Sequence, residues 1–333
     1  MDQIIMDIVD KALAGERLEA EEIGKLYALE TFGPEAAYVK WAGRKMSMAA
    51  SGGIAEIHAQ IGLNAAPCPR NCHFCSFAAC NKLRKEVVET PLEDVLEYAK
   101  IYEEQGANLI VMLTTANYPF ERFLEVAHEV RQVVSPEMPL LANLDDFGLD
   151  KAKLLKQAGV NGIYHAVRMG EGVVTAIPVE TRLSTISAAQ EAGLKVCTCV
   201  EPVGPEHTVQ ELVDATLLSR DLGAVFSGVG RRITVPGTKM DGLGTLSASR
   251  VGLYAAVYRL ASGYECALNC AACSGSSVDG GTNIGWAEVG TNPRDVARKT
   301  EEGGRGHSIA VLRKMFEDGE WEVRKGFSPY WGV

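Results

Sequence analysis

The residues most able to do chemistry in this chain are its nine cysteines, at positions 68, 72, 75, 80, 197, 199, 266, 270 and 273. Six of them form two runs of identical spacing, Cys68-Pro-Arg-Asn-Cys72-His-Phe-Cys75 and Cys266-Ala-Leu-Asn-Cys270-Ala-Ala-Cys273. Three thiolates on one short loop can hold a metal. A structural zinc closes its shell with four ligands, so a zinc here must borrow one from elsewhere. A four-iron cubane is also commonly held by four cysteines, so three leave one iron open to another ligand. Spacing alone admits both. Cys80 reads as a bystander thiol. Cys197 and Cys199, two apart on a strand pattern, share one face that should be interior, where apolar packing is the plain alternative to ligation.

Composition narrows the field. The 333 residues carry 33 basic and 43 acidic side chains, a net charge of −10. That speaks against a duplex nucleic-acid binder, which must neutralise phosphates. No apolar run approaches the length that spans a bilayer, so no membrane contact is expected. Met1–Asp10 lacks a basic leader followed by an apolar block, so no signal peptide is expected either. The cysteines are therefore expected to be reduced, in the cytoplasm, and a disulfide framework is a poor reading; if they hold iron with an open corner, its oxygen lability implies an oxygen-poor setting.

The elements that must position the cysteines alternate. Residues 1–50 read as a helical extension, with helices over Ile4–Leu13, Glu19–Glu30 and Glu35–Ala49. From residue 57, strands are expected at Ile57–Leu63, Leu109–Leu113, Pro139–Asn143, Gly162–Val167, Lys195–Val200 and Val225–Val235. Weaker ones are expected at Gly263–Ala267 and Ile284–Val289. Helices fill the gaps, and Gly106, Gly159, Gly193 and Gly223 stop them. Repeated βα units with short loops predict an α/β fold, a (β/α)8 TIM-type barrel over residues 51–290. Its chemistry belongs at the C-terminal ends of the strands, where the first cysteine run falls. Residues 263–280 then hold the second run, and 291–333 read as a covering tail.

Phe74 precedes the last cysteine of the first run, and the run follows the first strand. This arrangement resembles the signature of the radical S-adenosylmethionine (SAM) superfamily. The resemblance implies a four-iron cluster on Cys68, Cys72 and Cys75 whose open iron binds the amino and carboxylate groups of SAM. In that family an electron from the cluster splits the sulfonium, and the resulting 5′-deoxyadenosyl radical takes a hydrogen atom from substrate. It also places Phe74 near the adenine and implies a one-electron donor such as ferredoxin or flavodoxin.

Over residues 55–290 the sequence is similar to the biotin synthase branch, which includes lipoyl-forming enzymes, methylornithine synthase and hydrogenase-cofactor maturases. Leu113-Thr114-Thr115-Ala116 matches the strand end that faces the SAM amino group. Arg182, in Glu180-Thr-Arg182-Leu183, matches the arginine that pairs with the SAM carboxylate, for which a planar guanidinium is suited. Val235-Pro-Gly-Thr238 matches the loop after strand six. The fourth strand departs: biotin synthase has Asn-His-Asn-Leu where this chain has Tyr164-His-Ala-Val-Arg168-Met-Gly-Glu171. Arg168 and Glu171 become candidate SAM contacts, with a rim salt bridge as the alternative; His165 reads as packing. Asn143 and Asp145 are further candidates, with a loop cap as the alternative.

Biotin synthase keeps a sacrificial two-iron cluster on cysteines of strands two, three and five. This chain lacks the first two and keeps Cys197. Cys266, Cys270 and Cys273 are therefore expected to hold a second, auxiliary cluster of four irons, with Ser274, Ser276, Ser277, Cys197 or Cys199 as possible fourth ligands. A zinc knot is the alternative. The resemblance implies sulfur insertion into an unactivated carbon of a small or carrier-protein-bound acyl substrate, of the lipoyl or biotin type. A rearrangement, methylation or metallocofactor-assembly enzyme is the second reading, and a zinc scaffold without catalysis the third. Arg294 and Arg305 in the tail are candidate carboxylate binders, with surface ion pairing as the alternative.

Overall fold

The alternating apolar segments form parallel strands, each carried back by a helix. A computed structural model describes residues 1–303 and 306–332; Gly304, Arg305 and Val333 lie outside the described residues. In chain order the first elements are α1 (Gln3–Leu13), α2 (Ala20–Tyr27), α3 (Pro34–Ser51), β1 (Ile54–Gly62), β2 (Asn64–Ala65), β3 (Val88–Glu89), α4 (Leu92–Glu104) and β4 (Leu109–Leu113). Then come α5 (Phe120–Val133), β5 (Leu140–Asn143), α6 (Leu149–Gln157), β6 (Gly162–Tyr164), α7 (Val179–Glu191), β7 (Lys195–Cys197) and β8 (Val200–Val203). The last are α8 (Val209–Asp221), β9 (Phe226–Arg231), α9 (Ala248–Ser262), β10 (Leu268–Ala271), α10 (Gly275–Asp279), β11 (Ile284–Gly290), α11 (Ile309–Asp318) and β12 (Glu322–Val323).

The strand order is β7-β6-β5-β4-β1-β11-β10-β9-β8. Its two outer members are consecutive in sequence. The passage 195–203 kinks at Thr198 and Cys199, so its first half pairs with β6 and its second with β9. Val225 N–H donates to the Val196 carbonyl at 2.8 Å, and Thr198 N–H to that of Phe226 at 3.2 Å. The sheet thus closes on itself as the expected (β/α)8 barrel.

One predicted strand shifts. Residues 263–267 are irregular, and the strand is Leu268–Ala271 instead, paired with β9 from Leu268↔Phe226 to Ala271↔Val229. Gly263 ends α9 at φ +70°, so the chain turns there and enters the sheet only five residues later. α10, which follows β10, has only five residues. α3 packs across α9 and β10 beside it. Gly43 permits that crossing, since a Cβ there would lie 2.7 Å from Ala256 Cβ.

The tail runs the length of the barrel. Thr291 Oγ1 donates to the Asn64 carbonyl at 2.7 Å, and Ser76 N–H to that of Pro293 at 2.9 Å, so the segment after β11 crosses the top. α11 covers β1 and β11. β12 pairs with the start of β1, and Trp331 then closes the bottom, fully buried with Leu109, Leu141, Phe226 and Leu268. Beside it Arg324 and His58 both bond the buried Glu56, at 2.6 and 2.9 Å. A buried carboxylate with two such partners is tolerated. The lower lumen is therefore filled, and space is left only above it.

Candidate functional site

The open upper lumen is a cavity of about 400 Å³, walled by the strand ends and by the loop after β2. That loop carries the first cysteine run and folds on itself. Cys68 N–H donates to the Phe77 carbonyl at 2.7 Å and Ala79 N–H to that of Cys68 at 3.0 Å. Asn81 Nδ2 bonds the Cys75 and His73 carbonyls at 2.8 and 3.2 Å. Asn71 takes φ +50°, and its side chain accepts from Cys80 N–H at 2.9 Å. Cys80 Sγ faces the Asn71 carbonyl, away from the cavity.

Cys68, Cys72, Cys75 and Phe74 all line the cavity. Burial pushes the Cys72 thiol up to about 11 and Cys75 up to about 12. Bare thiols here stay protonated at neutral pH, whereas bound iron makes the thiolate the favoured form. Phe77 N–H already donates to Cys75 Sγ at 3.3 Å, an arrangement that stabilises charge on sulfur. Among the described residues no three His, Cys, Asp or Glu side chains are drawn together around one point as for a single ion. A cubane spreads its ligands over several irons, so three soft donors facing one cavity fit a cluster.

The loop is anchored from two sides. Arg70 holds Asp145, just beyond β5, through Nε and Nη2 at 2.7 Å each. Asp145 is therefore engaged by Arg70, and the pair braces the loop at the cavity wall. Ala176 N–H donates to the Arg70 carbonyl at 2.7 Å, and His73 N–H to that of Val174 at 2.9 Å.

Arg182, on the first turn of α7, lines the cavity but is only 6% exposed. Its Nε bonds Glu171 and its Nη1 bonds Asp146, both at 3.3 Å. Asp146 also bonds His165 Nε2 at 2.9 Å and accepts from Thr185 at 3.1 Å. Burial alone would raise the Asp146 carboxyl, but His165 and Arg182 outweigh it and hold it at about 2. Burial also lowers His165, keeping it neutral. Glu171 accepts from Thr175, Arg168 N–H and Arg182, and lies behind the cavity wall. Glu171 thus holds Arg182 rather than lining the cavity. Arg168 does line the cavity, 3.8 Å from Glu201. Burial opposes its charge, but Glu201 keeps it protonated.

Thr114 and Asn143 face the cavity at the ends of β4 and β5. Thr115 lines it too, but its N–H and hydroxyl are both engaged by Asn64, at 2.9 and 2.7 Å. It clasps the root of the cysteine loop while its hydroxyl keeps a proton to donate.

The second cysteine run is split by the strand it occupies. Cys266 precedes β10, at the bottom, where its thiol donates to the Val225 carbonyl at 2.9 Å. Cys270 is on the strand and Cys273 beyond its top, and both line the cavity with Cys199. Cys266 thus lies below the strand and Cys270 within the cavity wall. The structure therefore does not bring Cys266 to the cavity that Cys270 and Cys273 line. In the first run the same spacing lies on a compact loop and converges. Burial pushes Cys270 and Cys273 each up to about 12. Trp286 Nε1 donates to Cys270 Sγ at 3.2 Å. Cys197 lies lower, bonded to the Ile163 carbonyl. Ser274 and Ser277 cap α10, so neither is free to act as a ligand. Arg294 lies at the cavity mouth, paired with Glu288; Arg305 is outside the described residues.

Sequence reasoning missed Asp146 and Arg70. The signal for Asp146 was the acidic pair at the end of a barrel strand, in Asn143-Leu-Asp-Asp146. Nothing local marks Arg70 except its place inside the cysteine run.

Comparison with known proteins agrees with this geometry. The family model described as the radical SAM superfamily matches residues 67–218. A biotin synthase of Desulforudis audaxviator is 30% identical over 217 residues, covering 63% of this chain and 66% of that protein, just under two thirds of its length. One from Pelotomaculum thermopropionicum is 28% identical, covering 60% and 67%. In fold, a methylornithine synthase structure superposes with a TM-score of 0.77 at 17% identity, covering 96% of this chain and 97% of that one. An FeFe-hydrogenase maturase from Carboxydothermus hydrogenoformans gives 0.78 at 18%, covering 99% and 81%. With the cysteine loop at the mouth of a closed parallel barrel, residues 67–218 match the radical SAM superfamily model, and the chain is similar to biotin synthases over 63% of its length.

Proposed function

We propose that this radical SAM protein inserts sulfur into an unactivated carbon of a substrate held in the barrel mouth. The supporting observation is that Cys270 and Cys273 face the same cavity as Cys68, Cys72 and Cys75. In this reading the first three hold a four-iron cluster, which when bound supplies the electron that splits the SAM sulfonium. Arg182 takes the SAM carboxylate, oriented by Asp146 and Glu171. Phe74 packs the adenine, and Thr114 and Asn143 offer polar contacts. Arg168 keeps a positive charge beside Cys72. The filled lower lumen under Trp286 and Phe226 keeps water from the radical. Iron–sulfur at the second thiol group would supply the sulfur atom. The substrate is a small molecule or an acyl chain on a carrier protein, of the octanoyl or dethiobiotin type.

The electron enters from the outer face of the cysteine loop. Lys82, Lys85 and Lys239 are exposed there in a chain of net charge −10. Such a local reversal of sign suits an acidic carrier of the ferredoxin or flavodoxin kind.

A second reading, rearrangement or metallocofactor assembly on an amino-acid-like substrate, is favoured by the mixed charge of Arg231, Glu201 and Glu288 around the cavity. One experiment separates the two. Anaerobically reconstituted protein is given SAM, reductant, and dethiobiotin or an octanoyl-lysyl peptide, for a single turnover. Sulfur gained by product, matched by sulfide lost from protein, supports insertion. Release of 5′-deoxyadenosine with the protein's sulfide intact supports the second reading.

A further inference from the structure

We propose that the second iron–sulfur site is built from Cys199, Cys270 and Cys273, with Cys270 at its centre, and that Cys266 is not a ligand. This rests on the reading above that the lumen carries a second cluster.

Three observations carry it. First, Cys199, Cys270 and Cys273 all line the upper cavity, whereas Cys266 does not. Cys266 is spent on the carbonyls of Val225 and Leu268 at the barrel floor, at 2.9 and 3.1 Å, whereas the Cys273 thiol meets the weakly accepting thioether of Met315, at 3.2 Å. Second, the closing of the sheet carries Cys199 round to the cavity wall that holds Cys270. The kink at Thr198 and Cys199 produces this meeting. It moves the chain from β6 to β9, so that Cys199 arrives beside Gly230, one strand from Cys270. Third, the wall between these thiols is made of small residues. Ala271 and Ala272 follow Cys270, and a Cβ on Gly230 would lie only 3.3 Å from Cys199 Sγ. A side chain at position 230 would crowd that sulfur; glycine leaves it clear.

Cys197 offers the contrast. It is two residues away, fully buried, and bonded to the Ile163 carbonyl at 3.3 Å among the apolar side chains of the lower lumen. It is the packing thiol of the pair. Trp286 adds an indole N–H aimed at Cys270 Sγ from 3.2 Å. A donor to a ligating sulfur stabilises the reduced cluster and raises its potential.

The test counts iron and sulfide in protein lacking the first site. A Cys68→Ala/Cys72→Ala/Cys75→Ala variant, reconstituted without oxygen, should keep about half of the wild-type iron and sulfide if both clusters have four irons. Adding Cys199→Ser, Cys270→Ser or Cys273→Ser should each remove most of what remains. Adding Cys266→Ser or Cys197→Ser should remove none, and melting by circular dichroism confirms that each variant is folded. In the same background Trp286→Phe should move the cluster's potential to more negative values. Loss of iron with Cys266→Ser, retention with Cys199→Ser, or no iron in the parent variant overturns the assignment. Failure of the radical reading looks different: wild-type protein would release no 5′-deoxyadenosine while the parent variant still held its iron.

Discussion

Arg70 and Asp145 lock the cysteine loop to the end of β5 through two parallel hydrogen bonds of 2.7 Å. The residues are side chains 31% and 27% exposed, so the pair adds less than about 1 kcal/mol to stability. Its work is positional, because a cluster held by only three thiolates needs a loop that does not open. Arg70→Gln should leave the melting temperature within a few degrees while lowering iron retained after gel filtration. An unchanged iron content would show that the loop holds its shape without the clasp.

Asp146 makes stability depend on pH. Its carboxyl lies at about 2 in the fold, against about 3.9 for a free aspartate. A lowered value stabilises above the unfolded pKa, and that contribution is lost as pH falls from about 4 to 2. The groups facing it are His165, Thr185 and Arg182, the last backed by Glu171. About 2 kcal/mol is at stake. Urea unfolding of cluster-free protein should lose this much over that range, and Asp146→Asn should flatten that part of the profile. Identical slopes in both proteins would remove Asp146 from the account. In reconstituted protein, Arg182→Lys should raise KM for SAM about tenfold or more, with a smaller change in kcat.

Trp331 is the stopper of the lumen. It is fully buried, and its indole N–H donates to Ser328 Oγ at 3.1 Å. Trp331→Ala should cost roughly 3–5 kcal/mol. Thermal melting reads this directly, and a drop of only a degree or two would mean that the lower lumen collapses around the gap.

Lys82→Glu/Lys85→Glu should slow 5′-deoxyadenosine formation driven by reduced flavodoxin about tenfold at low salt, with the gap closing as salt rises. The same variant driven by dithionite should match wild type. Equal slowing with both reductants would place the defect in the site rather than at its surface.

The barrel was legible because its strands are short apolar runs closed by glycine, a signal contained within each segment. The helices ending at Glu104, Gln157, Glu191 and Asp221 each stop two residues before Gly106, Gly159, Gly193 and Gly223 for that reason. The strand at 263–267 was misplaced because Cys266-Ala-Leu-Asn-Cys270-Ala-Ala offers no turn residue to mark where the chain enters the sheet. The tail's route to the barrel floor left no local pattern, since Trp331 is buried by residues far earlier in the chain, from Leu109 to Leu268.

The sequence by itself determined the first cysteine site, because its three thiols are neighbours on one loop and need only local turns to converge. It could not determine the second. An identical spacing laid along a strand points its ends to opposite ends of the barrel. Which thiols meet Cys270 was then decided by the closure of the sheet at residues 195–203, a long-range pairing that no local run of residues encodes.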